Sequence, residues 1–189
     1  MGDMLEYTLG SDNSLFYWPI DLEHYQPRYP ASDGMRPIRI VHAPNHRHFK
    51  GSRFLVEAVD HLKEQGFPLE LVLVEGVPNL EAKEIYEEAD IIADQFIIGF
   101  HGYFALEGMA LGKPVLCYIR EEEYLIDPEE CPIINCPAHS IETVLISLLK
   151  NPSSLHTLGR AGREYVEKYH SIEAFTGRLE MAFASCGVL

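Results

Sequence analysis

The sequence predicts an α/β domain built on a doubly wound parallel sheet of about five strands, and three observations carry that prediction. Short, nearly continuous apolar runs such as Ile38–Ala43 (IRIVHA) and Leu69–Glu75 (LELVLVE) have the pattern of strands buried on both faces. The first run is followed by apolar residues at helical spacing, Phe54, Leu55, Ala58, Val59 and Leu62. The alternation then repeats along the chain, and strand-helix-strand units with right-handed crossovers place helices on both faces of one sheet.

Taken in order, Met1–Arg36 is rich in turn residues (Gly10, Asp12, Asn13, Pro19, Pro27, Pro30, Gly34) and has one apolar patch, Leu15–Ile20. It is expected to be an N-terminal extension or interdomain linker, and residues 37–189 the Rossmann-like domain. Ile38–Ala43 is the first strand, Pro44–Gly51 a loop, and Ser52–Gln65 a helix ended by Gly66. Leu69–Glu75 is the second strand, and Asn79 is expected to cap a short helix reaching Ala89. Asp90–Gln95 begins the third strand. Beyond it Gly99 and Gly102 punctuate a loop, a helix with the single acid Glu107 follows, and Gly112 with Pro114 stops it. Val115–Ile119 and Ile133–Asn135 are strands four and five. Between them Arg120–Glu130 holds six acids in eleven residues, expected to form a solvated turn because nothing fixes them on one face. Helices are expected over Ile141–Leu149, Ser153–Tyr169 and Ser171–Ser185, the last with a stripe of Ile172, Phe175, Leu179 and Phe183 facing the core.

Composition narrows the function classes. At 189 residues and 47% hydrophobic content, the chain can bury one real core. Fifteen Lys and Arg against twenty-nine Asp and Glu give a net charge of −14, which opposes nucleic-acid binding by counterion release. Any phosphate must therefore be held locally. No apolar run approaches the roughly 18 residues of a membrane span, and no signal-peptide pattern opens the chain. A cytoplasmic location is expected, with peripheral membrane contact left open. Cys117, Cys131, Cys136 and Cys186 lack CxxC spacing and read as reduced packing thiols. The sequence has no GxSxG, GxxxxGK[ST] or HExxH, and no GxGxxG after the first strand, which argues against a serine hydrolase, a P-loop NTPase, a zincin and an NAD enzyme.

With strand order 2-1-3-4-5, the topological switch point falls between the first and third strands, and ligands bind there outside the carboxyl ends of the strands. The loops Pro44–Gly51 and Gln95–Gly102 meet at that place. Arg47 and Lys50, just before the helix start at Gly51 and Ser52, suit a diphosphate. The free N–H groups at Gly102 and Tyr103 form a second anion-seeking element. Glu107 sits about one turn in and leans back toward the N-terminus, within reach of what the loop holds. An unpaired carboxylate in so apolar a helix costs on the order of several kcal/mol, so it requires a partner: ligand hydroxyls, or an ion pair within the fold. His46 and His101 are candidate donors to phosphate or sugar oxygens. His42, His46 and His48 also cluster, but His42 lies on a strand and no matching Cys/His motif accompanies them, so no metal is expected; a histidine-metal protein remains a rival.

Three stretches resemble the retaining GT-B glycosyltransferases of family 4, or group 1, in their C-terminal nucleotide-sugar-binding domain. FKGS at Phe49–Ser52 looks like the family's Lys-Gly step, whose lysine, with an upstream arginine, holds the donor diphosphate. ALEGMALGKPV at Ala105–Val115 is similar to its most recognisable stretch, in which the glutamate binds the ribose hydroxyls. YWPIDLEHYQP at Tyr17–Pro27 looks like the segment leaving the N-terminal domain. The resemblance implies transfer of a glycosyl group from a nucleotide sugar to an acceptor hydroxyl with retention, with no obligatory metal or other cofactor. Arg47 and Lys50 would stabilise the leaving diphosphate, while Glu107, Gly99, His101, Gly102, Tyr103 and His46 would line the donor site. It implies an N-terminal partner domain and an isolated chain that binds nucleotide without turnover. The chain also departs from the family. Gly99 stands where a second glutamate usually touches the donor sugar, Gly76–Asp90 is shortened, and REEEYLID replaces a glycine-rich turn after strand four. A non-catalytic regulatory domain on the same scaffold is the alternative.

Overall fold

The computed structural model describes residues 17–31 and 36–185. The expected readings for Leu15 and Phe16, for the turn residues Gly10, Asp12, Asn13 and Gly34, and for Cys186 lie outside the described residues. Five strands form one sheet: β1 (Ile38–His42), β2 (Leu69–Leu73), β3 (Ile91–Ala93), β4 (Val115–Cys117) and β5 (Ile134–Asn135). Every pairing is parallel and the order is β2-β1-β3-β4-β5, as the sequence predicts.

The sheet's side chains alternate between two cores, because successive strand residues point to opposite faces. Ile40, Ile91, Ala93 and Leu116 pack with Leu55, Val59, Leu62, Leu145 and Leu148, which come from α2 (Ser52–Glu64) and α5 (Ile141–Lys150). Val41, Ile92, Val115 and Cys117 pack on the other face with Tyr86, Leu106, Met109, Tyr165 and Val166. These come from α3 (Asn79–Glu87), α4 (Tyr103–Ala110) and α6 (Ser153–Tyr169). Gly108 lets α4 approach the sheet, since a Cβ there would lie 2.9 Å from Ile92 Cγ1.

Four local expectations are corrected. The loop Pro44–Gly51 contains a helix, α1 (Arg47–Lys50), too short to show periodicity; Gly51, at φ 75°, ends it and starts α2. Asn79 does not cap α3: the capping position is Pro78, and Asn79 is the first helical residue. The acidic stretch 120–130 is mostly exposed as expected, but it includes a 3-10 turn, Glu122–Tyr124, and tucks Leu125 into the core. The final helix, α7 (Ile172–Ser185), has no buried residue, and its Ile172 and Phe183 are exposed. Since α4 and α6 already cover that face, α7 forms an outer layer against α6.

Residues 17–31 pack along the domain. Arg28 N–H donates to Leu111 O at 2.9 Å and Ile20 N–H to His170 O at 2.7 Å. Arg163 ties the segment down, its guanidinium donating to both Tyr25 O (2.7 Å) and Ala110 O (2.8 Å). The Lys113 ammonium bonds Arg28 O, and the Tyr29 ring covers Gly112.

Candidate functional site

The β1–β3 switch point does bring the two loops together. Phe96 N–H donates to Lys50 O at 3.0 Å, and Gly51 packs so closely on Phe96 and Ile97 that a Cβ there would sit 3.1 Å from Ile97 Cγ1. Behind this contact His42, fully buried at the end of β1, places one ring nitrogen 2.7 Å from Ala93 O and the other 2.7 Å from Ser52 Oγ. Burial lowers its pKa, so the neutral ring donates from Nδ1 and accepts the Ser52 hydroxyl at Nε2. His42 therefore pins β1, β3 and the start of α2 together, and neither nitrogen is open to a metal. Among the described residues, no three His, Cys, Asp or Glu side chains converge on one point.

Lys50 is held by a residue that sequence reasoning left inside the third strand. Asp94, just past the end of β3, accepts from Lys50 Nζ at 2.6 Å through one oxygen and from Gly102 N–H at 2.6 Å through the other. Its side chain is 0% exposed and that of Lys50 14%. The N–H of Gly102, expected to face phosphate, is thus committed to Asp94. Those of Tyr103 and Phe104, in the first turn of α4, have no intrahelical acceptor. Arg47, expected beside Lys50, turns the other way: its guanidinium forks onto Glu75 beyond β2, with Nε 2.8 Å from Oε1. This pair lies at the surface; the bonded carboxylate raises the Arg47 pKa, and Arg47 lowers that of Glu75.

Glu107 lies one turn further along α4. Its Oε1 accepts from Tyr25 OH at 3.0 Å, and Lys83, whose ammonium lies 4.2 Å from the Tyr25 ring centre, is near enough to act on it. Burial raises the Glu107 pKa, while the Tyr25 hydrogen bond and the Lys83 charge oppose the shift. Tyr103, 43% exposed, stands at the entrance, its hydroxyl pKa raised by burial and by Glu107.

The other predicted residues fall in two places. His46 is exposed at the start of α1 with its ring edge toward Phe49. His101 is half-buried: it stacks on Phe100 at 4.6 Å between centroids and meets His170 edge-on at 6.1 Å. Burial lowers its pKa, so at neutral pH it is an uncharged ring. At Gly99, the Arg120 side chain occupies the space a side chain would fill, because a Cβ there would lie 2.5 Å from Arg120 Cβ and 3.1 Å from its Nε. Arg120 N–H donates to Gly99 O at 3.0 Å, and Gln95 bonds Phe100 O. The β3–α4 loop is thereby fixed from both ends. Sequence reasoning missed Asp94, Tyr25 and Arg120. An acid directly after an apolar strand at the switch point was the available signal for the first; no local pattern pointed to the other two.

No family model and no curated protein matches this sequence. Solved structures match its fold. Sucrose-phosphate synthase from Thermosynechococcus elongatus aligns with a TM-score of 0.66 over 92% of this chain and 52% of its own, at 18% identity. Anabaena HepE, solved in complex with UDP and glucose, aligns with a TM-score of 0.66 over 91% of this chain and 57% of its own, at 12% identity. The C-terminal domain of LpcC, a group 1 family glycosyl transferase from Francisella tularensis, aligns with a TM-score of 0.57 over 81% of this chain and 99% of its own, at 16% identity. The chain spans about half the length of the first two and matches nearly all of the third. At these identities the likeness is one of fold: the chain has the fold of the C-terminal domain of a GT-B group 1 glycosyltransferase.

Proposed function

We propose that this chain is the donor-binding domain of a glycosyltransferase, which transfers a hexose from a nucleoside diphosphate sugar to an acceptor hydroxyl with retention. The observation that carries the reading is that Asp94 joins Lys50 to the start of α4, the helix that bears Glu107 one turn further on. A diphosphate needs fixed donors, and Lys50 keeps two of its three N–H bonds beyond the one given to Asp94. The N–H groups of Tyr103 and Phe104 add the positive end of a helix dipole. Arg47, three residues before Lys50, joins by exchanging Glu75 for phosphate, an exchange that costs little because water and salt screen an exposed ion pair. Glu107 accepts the ribose hydroxyls. That HepE was solved with UDP-glucose supports a donor of this class.

In this reading Lys50 and Arg47 stabilise the charge that develops on the leaving diphosphate, where preorganised donors count most, and no metal or other cofactor is obligatory. A separate N-terminal domain carries the acceptor, the isolated chain binds donor without turnover, and the setting is the cytoplasm. No helix among the described residues is long and apolar enough to cross a membrane. Titration calorimetry with UDP, GDP and ADP tests the proposal. Binding of one of them, weakened tenfold or more by Lys50→Ala, is expected, and no binding of any would end it. A second reading, a regulatory domain that binds nucleotide without transfer, draws on Gly99, whose side-chain space Arg120 fills. Glycosyl transfer or hydrolysis by the two-domain protein separates the two.

A further inference from the structure

Asp94 belongs to none of the groups assigned to the donor, yet it is the most enclosed charge at the mouth. Its backbone N–H is set by the sheet, donating to Leu116 O at 2.9 Å. Its two oxygens then reach different loops: Lys50 Nζ on the β1 side at 2.6 Å and Gly102 N–H on the β3 side at 2.6 Å. Lys50 and Gly102 are brought so close that a Cβ on residue 102 would lie 3.1 Å from Nζ and 3.3 Å from both carboxylate oxygens. An ionised carboxylate accepts only, so it holds one N–H of the ammonium on the protein side and leaves the other two for a further acceptor. A lysine stem is otherwise free to rotate, and fixing it before the ligand arrives removes that ordering cost from binding.

We propose that Asp94 is a positioning residue for the anion site: it aims the Lys50 ammonium and the start of α4 at one bound diphosphate. This rests on the donor-binding reading of the same mouth. Asp94 itself does not touch the ligand, because its side chain is sealed beneath Lys50. Its effect must therefore pass through Lys50, which separates positioning from a general contribution to folding.

The test uses the 189-residue chain as wild type, Asp94→Asn, Lys50→Ala and the double variant, with UDP and inorganic pyrophosphate as calorimetric probes. Asp94→Asn is expected to weaken both probes at least tenfold in the wild-type background and less than twofold when Lys50 is already alanine. A ligand-free measurement runs beside it: the rate of acylation of Lys50 relative to exposed Lys63, followed by mass spectrometry at one pH. Loss of the carboxylate partner is expected to raise that ratio at least fivefold. An unchanged ratio, equal losses in both backgrounds, or tighter binding by Asp94→Asn would each overturn the proposal. If the wild type binds neither probe, the donor reading fails, while the acylation ratio still decides whether Asp94 restrains Lys50. Should Asp94→Asn not fold, Gly102→Ala replaces it, since its Cβ crowds the pair without removing charge at an ordinary φ of −93°; a raised Lys50 ratio is expected there too, and an unchanged one overturns the proposal.

Discussion

Glu107→Gln is expected to make the protein more stable and its site weaker, and the opposition is what identifies the residue's role. Six of the eight residues of α4 are buried, and the half-buried Glu107 is the helix's acid. Its charged form is penalised by burial and answered by one neutral hydrogen bond, from Tyr25 OH at 3.0 Å, with Lys83 acting at a distance. Glutamine keeps the acceptor for Tyr25 and removes the penalty, for a gain of about 1 kcal/mol, within the range typical of relieved functional sites. In a chain of this length that is a rise of roughly 2–4 °C in Tm. The gain depends on pH. The folded-state pKa lies above the ordinary 4.5, so the folded chain holds this proton more tightly than the unfolded chain. Wild-type stability therefore falls as pH rises from 4.5 through the folded value, and the two proteins should converge below pH 4.5. Nucleotide binding should move the other way. Hydrogen bonds to a charged group are worth about 1.5–3 kcal/mol, so losing the charge beneath two ribose hydroxyls should weaken UDP roughly tenfold to a hundredfold. Thermal melts between pH 4 and 8, with calorimetry at pH 7.5, measure both. A lower Tm at pH 7.5 together with unchanged UDP affinity would refute the reasoning and leave Glu107 as a structural partner of Tyr25.

Gly99→Glu should not recreate a sugar-binding acid: its Cβ collides with Arg120 Cβ, which the bond from Arg120 N–H to Gly99 O keeps in place. A loss of about 1–3 kcal/mol by overpacking is expected in urea denaturation, and most of it should persist when Arg120→Ala is added, because alanine keeps the Cβ that the new side chain meets. At Gly159→Ala the added methyl would run into the backbone carbonyl of Gly112, where α6 meets the end of α4. Backbone cannot swing away, so a loss of about 3 kcal/mol is expected, or a Tm lower by roughly 6–12 °C in calorimetric melts. His170 is buried, with Nδ1 3.0 Å from Trp18 O, and burial pushes its pKa down to about 4. The unfolded chain takes up a proton near pH 6.5 that the folded chain refuses, so stability is lost as pH falls from 6.5 toward 4. His170→Asn should reduce the slope of stability against pH in that window by about one proton.

The sheet was legible because its determinants are local and repeat. Every strand in the predicted order falls within the stretch expected for it, though each is shorter, the third ending at Ala93 and not Gln95, and the punctuation by Gly66, Gly102 and Gly112 is explicit. Strand order alone also predicted that the loops carrying Lys50 and Gly102 meet, as Phe96 N–H on Lys50 O and the shared Asp94 show. What the chain's linear pattern does not carry is partner choice. Arg47 and Lys50, one turn apart on α1, diverge to Glu75 and Asp94 because those acids end β2 and β3, which lie beyond β1 on its opposite sides. Tyr25 meets Glu107 from 82 positions away, through a segment whose prolines and turn residues conceal its docking. The apolar stripe of α7 has helical spacing but no sheet left to cover, and spacing alone cannot tell an inner helix from an outer one.

The acidic composition gives these pairings a further meaning. A chain of net charge −14 does not draw anions by its overall field, and at physiological salt that field is screened within about 8 Å. In the proposed donor reading, recognition of a diphosphate must therefore come from contact, and contact donors are effective in proportion to how little they must rearrange. Arg47 and Lys50 answer that demand differently. The Arg47 pair is exposed and can change partners, so it suits a cation that closes on a phosphate after it arrives. Lys50 is tied from below by a carboxylate that no solvent reaches, so it keeps its aim whether the site is empty or full. Asp94 also neutralises Lys50 when no ligand is present, which lets a cation only 14% exposed persist in the unoccupied fold instead of being expelled to solvent. If the proposed donor reading holds, the buried acid lets the site form before the ligand arrives, and the exposed cation lets it respond afterwards.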